Sequence, residues 1–246
     1  MPRLEIDVQF LADDSMAIFH DGAFPTVADI QVKLADLSRQ TVRDFTHPGG
    51  EPIGFLEDVV AAIAGSNTLL QVDLKLSRPI TARRLELFED ALAPLGEQVI
   101  VGSQAHWNLR KLSRVPVAFD PTLHWVYSAW PPGIPRSRGV HGFWDDSPMA
   151  GNSRFTAAEY LEARVEDLLA LVPEAVEWMV DIGTILKLDE LGMALGDRLR
   201  ERGVALAAWT LRAGTDSRTT TLERLFRLGV ETVITDVPEL AAAAVL

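Results

Sequence analysis

The sequence predicts an α/β protein built from parallel βαβ units and folded as a single domain over residues 1–246. Three observations carry this expectation. Short segments of β character alternate with helical ones along the whole chain. Two of the helices are expected to stop at a glycine, Gly203 and Gly229, immediately before a strand. The chain has 246 residues, 48% of them apolar, which suits one large domain; a single α/β barrel of about 250 residues is a common solution at that size. No linker rich in Pro, Gly or Ser divides the sequence, and no repeat of fixed period is found in it.

The first strand is expected over residues 4–10, where period-two alternation sets Leu4, Ile6, Val8 and Phe10 on one face and Glu5, Asp7 and Gln9 on the other. A short extension over residues 16–19 follows Asp13-Asp14-Ser15, which reads as a hairpin turn returning His20 beside Glu5 and Asp7. Residues 21–52 read as irregular. The alternation returns over residues 69–76, with Leu70, Val72, Leu74 and Leu76 against Gln71, Asp73 and Lys75. Further strands are expected over residues 98–103, 115–120, 176–181, 204–210 and 231–236. Helices are expected over residues 81–95, 105–112, 187–202 and 221–228. Another opens at Thr156, with Glu159 three residues on in capping-box spacing. Residues 121–155 form a second irregular stretch that holds Trp125, Trp130 and Trp144; its aromatic content predicts an ordered lid.

Composition excludes several functions. With 23 basic and 35 acidic residues the net charge is −12, the wrong sign for nucleic-acid binding, which depends on phosphate contacts. Small anionic substrates stay open, since they need only one or two placed cations or a metal. The absence of Cys removes thiol catalysis and zinc–thiolate sites. No apolar run reaches the roughly 18 residues of a membrane span, and no apolar leader follows Met-Pro-Arg. The default expectation is a cytoplasmic protein whose oligomeric state the sequence leaves open.

Charged residues in the middle of parallel strands need a reason, because such strands are normally apolar and a buried carboxylate is costly unless paired or metal-bound. Glu5 and Asp7 leave one face of the first strand about 6 to 7 Å apart, and Asp73 and Lys75 repeat the pattern on the second long strand. In a barrel these faces point inward. Three converging carboxylates suit a hard cation such as Mg²⁺ or Ca²⁺, with Lys75 free to hold an anion beside it. They equally suit an ion-pair cluster in which Lys75 neutralises Asp73. His20 has the residue type of a general acid or base near neutral pH; Asp21 beside it could orient the ring, although adjacent side chains usually point apart.

Glu5-Ile6-Asp7-Val8-Gln9, the short turn and Phe19-His20-Asp21 resemble the signature of the glycerophosphodiester phosphodiesterase family. Weaker echoes follow in the family's order. Residues 51–59 resemble its "iPtLeEvl" segment, Val72-Asp73-Leu74-Lys75 its "iEiK" strand, and Val101-Gly102-Ser103 its next strand end. Ala208-Trp209-Thr210 and Thr235-Asp236-Val237-Pro238 resemble its last two strands. The resemblance implies a TIM-type (β/α) barrel that hydrolyses glycerophosphodiesters with a divalent cation, Mg²⁺ or Ca²⁺. It implies that Glu5, Asp7 and Asp73 ligate the metal and that His20 is one of two catalytic histidines. Lys75 would contact phosphate and take part in catalysis, and Trp209 would line the substrate pocket. In the family's mechanism a neighbouring hydroxyl of the substrate attacks phosphorus, and water then opens the cyclic phosphate.

Two departures from the family pattern shape the expectation. Asp73 stands where the family has Glu, a reach shorter by about 1.5 Å, which a flexible Ca²⁺ shell absorbs more easily than an octahedral Mg²⁺ site. The family also opens with a strand ending in His-Arg-Gly and a helix with Glu-Asn-Thr, which supply the second histidine and a phosphate-binding Arg. This sequence starts inside what corresponds to the second barrel strand. The expectation is therefore a barrel with a small hairpin insertion that lacks the first βα unit. None of His47, His106, His124 and His141 is favoured as a replacement for the histidine, while Arg136 and Arg138, near the last two, could touch phosphate. The function expected is metal-dependent hydrolysis of a small-molecule phosphodiester, impaired by the missing histidine. The alternative is a catalytically inactive barrel that binds a phosphorylated small molecule or a metal.

Overall fold

The computed structural model describes residues 3–25, 31–46, 50–125, 154–212 and 218–239. The chain divides into two compact units, Met1–Val117 and Ala118–Leu246.

In the first unit, β1 (Arg3–Phe10) buries Ile6, Val8 and Phe10 and leaves Glu5, Asp7 and Gln9 half-buried, as period-two alternation requires. Leu4 departs from the pattern and is exposed. Asp14, at φ 64°, turns the chain into β2 (Met16–Ile18), antiparallel to β1 with Val8 opposite Ile18. The stretch expected to be irregular holds a small hairpin of β3 (Ala23–Pro25) and β4 (Gln31–Lys33), then a 3-10 turn (Leu34–Asp36) and the single turn α1 (Arg39–Val42). A hydrophobic cluster of Leu11, Ala17, Phe19, Leu34, Val42, Ile53 and Phe55 ties the 3-10 turn and α1 to β2. Each large side chain buried there contributes about 1.5–3 kcal/mol.

Next come α2 (Leu56–Ile63), β5 (Leu69–Leu74), α3 (Ala82–Leu92), β6 (Val99–Ser103) and α4 (His106–Leu109), and the unit ends at the first residue of β7 (Val117–Phe119). β5 lies parallel to β1, and β6 lies parallel to β5. Thr81 caps α3 by accepting from Arg84 N–H, which explains why the helix starts one residue inside the expected range. Phe88 of α3 packs on Phe10 with ring centroids 6.2 Å apart. The apolar face of β1 thus meets a helix, and the opposite face carries the carboxylates.

In the second unit the capping box at Thr156 and Glu159 is present and opens α5 (Ala157–Leu171), which buries Tyr160, Leu161, Val165 and Leu168. β8 (Ala175–Asp181), β9 (Ala205–Leu211) and β10 (Thr232–Thr235) are parallel, β8 with β9 and β9 with β10. The long helix expected over residues 187–202 is instead two helices, α6 (Ile182–Glu190) and α7 (Leu195–Glu201). Gly192 at φ 83° ends the first of them, a left-handed conformation that any side chain would resist. α8 (Arg218–Arg227) ends before Gly229, also at positive φ. The Trp178 ring stands edge-on to Phe119 and Trp125, at 5.8 and 5.9 Å. Most of the expected lid, including Trp130 and Trp144, lies outside the described residues. Among the described residues no helix is long and apolar enough to cross a membrane.

Candidate active site

Register brings the acidic residues together. Parallel pairing of β1 with β5 sets Asp7 directly opposite Asp73 and Glu5 opposite Gln71. One carboxylate oxygen from each of Glu5, Asp7 and Asp73 lies within 4.8 Å of the others. Lys75 leaves the end of β5 with its backbone N–H donating to Val8 O at 3.0 Å. Its Nζ then donates to Asp73 Oδ2 at 2.6 Å and sits 3.1 Å from Asp7 Oδ1. Both readings of the residues, cation cage and ion-pair cluster, are therefore satisfied geometrically by one arrangement.

The electrostatics follow from crowding three carboxylates against one ammonium. Burial, with the charges of Asp7 and Asp73, pushes Glu5 up to about 7, while Lys75 and His20 pull it back only in part. Burial also raises Asp73 above the ordinary carboxylate range, although Lys75 draws it down. Burial alone would lower Lys75, but the carboxylates of Asp73 and Asp7 overrule it and hold the ammonium charged beyond its usual range. A single lysine thus leaves the cluster with an excess of negative charge. An all-oxygen donor set with that excess fits a hard divalent cation, and the residues that would hold it are Glu5, Asp7 and Asp73.

His20 follows β2 and is exposed, with Nδ1 2.9 Å from Asp21 Oδ1. Adjacent side chains usually diverge, but here both leave the sheet edge into solvent and meet. The imidazole interacts electrostatically with Glu5 and Asp73. The β1–β2 hairpin thus leaves His20 near enough for its charge to be felt at Glu5 and Asp73.

A residue the sequence reading passed over is Asn108, buried in α4. Its Nδ2 donates to Leu76 O at 2.7 Å and Arg78 O at 3.0 Å, and its Oδ1 accepts from Ile80 N–H at 2.8 Å. These bonds fix the loop that follows Lys75. The one signal available was an amide inside the otherwise apolar helical run Trp107-Asn108-Leu109.

His106 begins α4, its ring edge-on to Trp107 at 5.0 Å, and burial together with Arg110 lowers its pKa. His124 belongs to the second unit, in a 3-10 turn (Pro121–His124), with its ring 5.9 Å from Phe119. His47, His141, Arg136 and Arg138 lie outside the described residues. Trp209 is half-buried near the C-terminal end of β9 in the second unit, in register with Asp181 of β8.

No family model and no curated protein matches the sequence. Solved structures do match. A Galdieria sulphuraria protein that carries the glycerophosphodiester phosphodiesterase name superposes with a TM-score of 0.70 at 16% identity, over 100% of this chain and 86% of its own. A glycerophosphodiester phosphodiesterase from Thermotoga maritima gives 0.60 at 16% identity, over 97% and 83%. A phosphodiesterase from Oleispira antarctica, solved in complex with the product sn-glycerol-3-phosphate, gives 0.60 at 14% identity, over 100% and 85%. At such identities the shared property is the fold. It is the α/β-barrel class that the sequence resemblance implied.

Proposed function

We propose that the chain is a glycerophosphodiester phosphodiesterase that hydrolyses its substrate to glycerol phosphate and an alcohol with the help of a divalent cation. The observation that carries this reading is the meeting of Glu5, Asp7, Asp73 and Lys75 on neighbouring strands, in a chain with the fold of those phosphodiesterases. The cation, held by the three carboxylates, supplies positive charge at the phosphoryl oxygens when bound.

Lys75 is a permanent cation whose third N–H is left for a phosphoryl oxygen, and it meets the substrate already charged. His20 is the proton carrier. With Asp21 Oδ1 accepting from Nδ1–H, the lone pair on Nε2 is left to take a proton from the attacking hydroxyl. Its exposure lets the proton exchange with solvent between turnovers. The family resemblance gives Trp209 the role of lining the substrate pocket.

A second reading has its own observation. With Nζ on both Asp73 and Asp7, Lys75 partly neutralises the cluster internally. A barrel that binds a phosphorylated small molecule without turning it over is consistent with that arrangement.

Release of glycerol phosphate from glycerophosphocholine, measured with Mg²⁺ or Ca²⁺ and again with a chelator, separates the two. Cation-dependent release supports hydrolysis. Calorimetric binding of glycerol phosphate with no release supports the second reading. Absence of both release and binding sinks both.

A further inference from the structure

Three consecutive carbonyls at the end of the β2 hairpin, those of Phe19, His20 and Asp21, converge on one nitrogen. That nitrogen is Nε2 of Gln9, which donates to them at 2.7, 3.2 and 2.8 Å. Gln9 stands two residues past Asp7 on the strand face that also carries Glu5 and Asp7. An amide has two hydrogens, so three acceptors must share them, and the segment is gathered around a single point.

The need for such a fastening is visible locally. Phe19 N–H donates to Asp7 O at 3.1 Å as the chain leaves the sheet, and the next backbone bond arrives at Gly22 O from Leu34 N–H at 3.1 Å. Between them, the side chains of His20 and Asp21 are 72% and 75% exposed, so packing fixes neither. Their position is set by the backbone that Gln9 holds.

We propose that Gln9 is a positioning residue for His20: its carboxamide fixes the 19–21 backbone and with it the place from which the imidazole works beside the strand that carries Glu5 and Asp7. The inference rests on the reading of His20 as the proton carrier, and it adds a requirement that the His20–Asp21 pair alone does not impose. The strand that supplies Glu5 and Asp7 also sets the place of the histidine, so proton transfer and the carboxylate cluster are registered by one element.

The test uses Gln9→Met, which keeps the stem and removes the donors, and Gln9→Glu, which keeps the shape and turns a carboxylate toward the three carbonyls. Three quantities are read: the His20 imidazole NMR signals (assigned with His20→Gln), kcat and KM on glycerophosphocholine, and calorimetric affinity for Mg²⁺ or Ca²⁺ alone. Both variants are expected to shift or broaden the His20 signals and to lower kcat about 10- to 100-fold, the scale of a misplacement near 1 Å. KM and cation affinity are expected to stay within about twofold, since ground-state binding does not run through His20. Should Gln9→Glu fail to fold, Gln9→Met alone decides. Unchanged imidazole signals with unchanged kcat overturn the proposal. So does a loss of cation affinity in step with kcat, which would place the effect on the carboxylates. If the wild type turns over no glycerophosphodiester but the His20 signals still move in Gln9→Met, the hydrolase reading falls and the clamp stands.

Discussion

Divalent cation binding should depend on pH through Glu5. The perturbation is pH itself, varied between 6 and 8 in the intact protein. Burial and two neighbouring carboxylates push Glu5 up to about 7 when no cation is bound, and a carboxylate must be ionised to ligate. The ionised fraction is then about one in eleven at pH 6 and about ten in eleven at pH 8, so affinity should rise about tenfold across that range. At pH 7 about half a proton should leave for each cation bound. The sign of the linked stability is also fixed. The folded state holds this proton up to about pH 7, whereas the unfolded chain releases it near 4.5. Without cation, the contribution is full below pH 4.5 and is lost as the pH climbs through 7. Isothermal titration with Mg²⁺ or Ca²⁺, in two buffers of different ionisation enthalpy, reads both affinity and proton release. A pH-independent affinity with no proton released would refute the argument that three carboxylates crowd one lysine.

Other perturbations give separate tests. Lys75→Met removes the ammonium from Asp73 and Asp7. For a largely buried cluster the cation-free protein should lose about 1–3 kcal/mol in denaturant melts, partly restored by Mg²⁺, and an unchanged midpoint would show the pair to be energetically idle. Gly196→Ala places a methyl against Leu228 O and within 2.9 Å of Gly229 Cα. It should cost about 2–3 kcal/mol and lower Tm by about 5–10 °C; a Tm within 2 degrees of wild type, roughly, would mean that α7 can back away freely. Trp209→Ala should raise KM for glycerophosphocholine about tenfold with a smaller change in kcat, and an unmoved KM removes Trp209 from the substrate site.

Much of the site could be read because period-two alternation assigns faces without any knowledge of partners. Glu5, Asp7 and Gln9 share a face whatever β1 pairs with, and so do Asp73 and Lys75. Register was not legible. That Asp7 sits opposite Asp73, and not one residue off, depends on pairing between distant segments. The helix start with a capping-box signature, Thr156, came out as read. The break at Gly192 stayed hidden because the apolar spacing on either side of it continues. β3 and β4 were missed for a related reason: three-residue strands are too short to show a period. Gln9 and Asn108 act on backbone carbonyls, which every residue has, so no side-chain pattern announces their partners. The family resemblance carried the fold class across these gaps, since its segments follow in order along the chain.

The most direct measurement is ³¹P NMR of glycerophosphocholine incubated with the protein and Mg²⁺ or Ca²⁺, beside the same mixture with chelator and with His20→Ala. The wild type should convert the phosphodiester resonance to that of a glycerol phosphate monoester. Chelation should stop the conversion, and His20→Ala should slow it about 10²–10⁴-fold. A diester resonance that persists in the wild type with either cation, or one that His20→Ala converts at the same rate, contradicts the assignment.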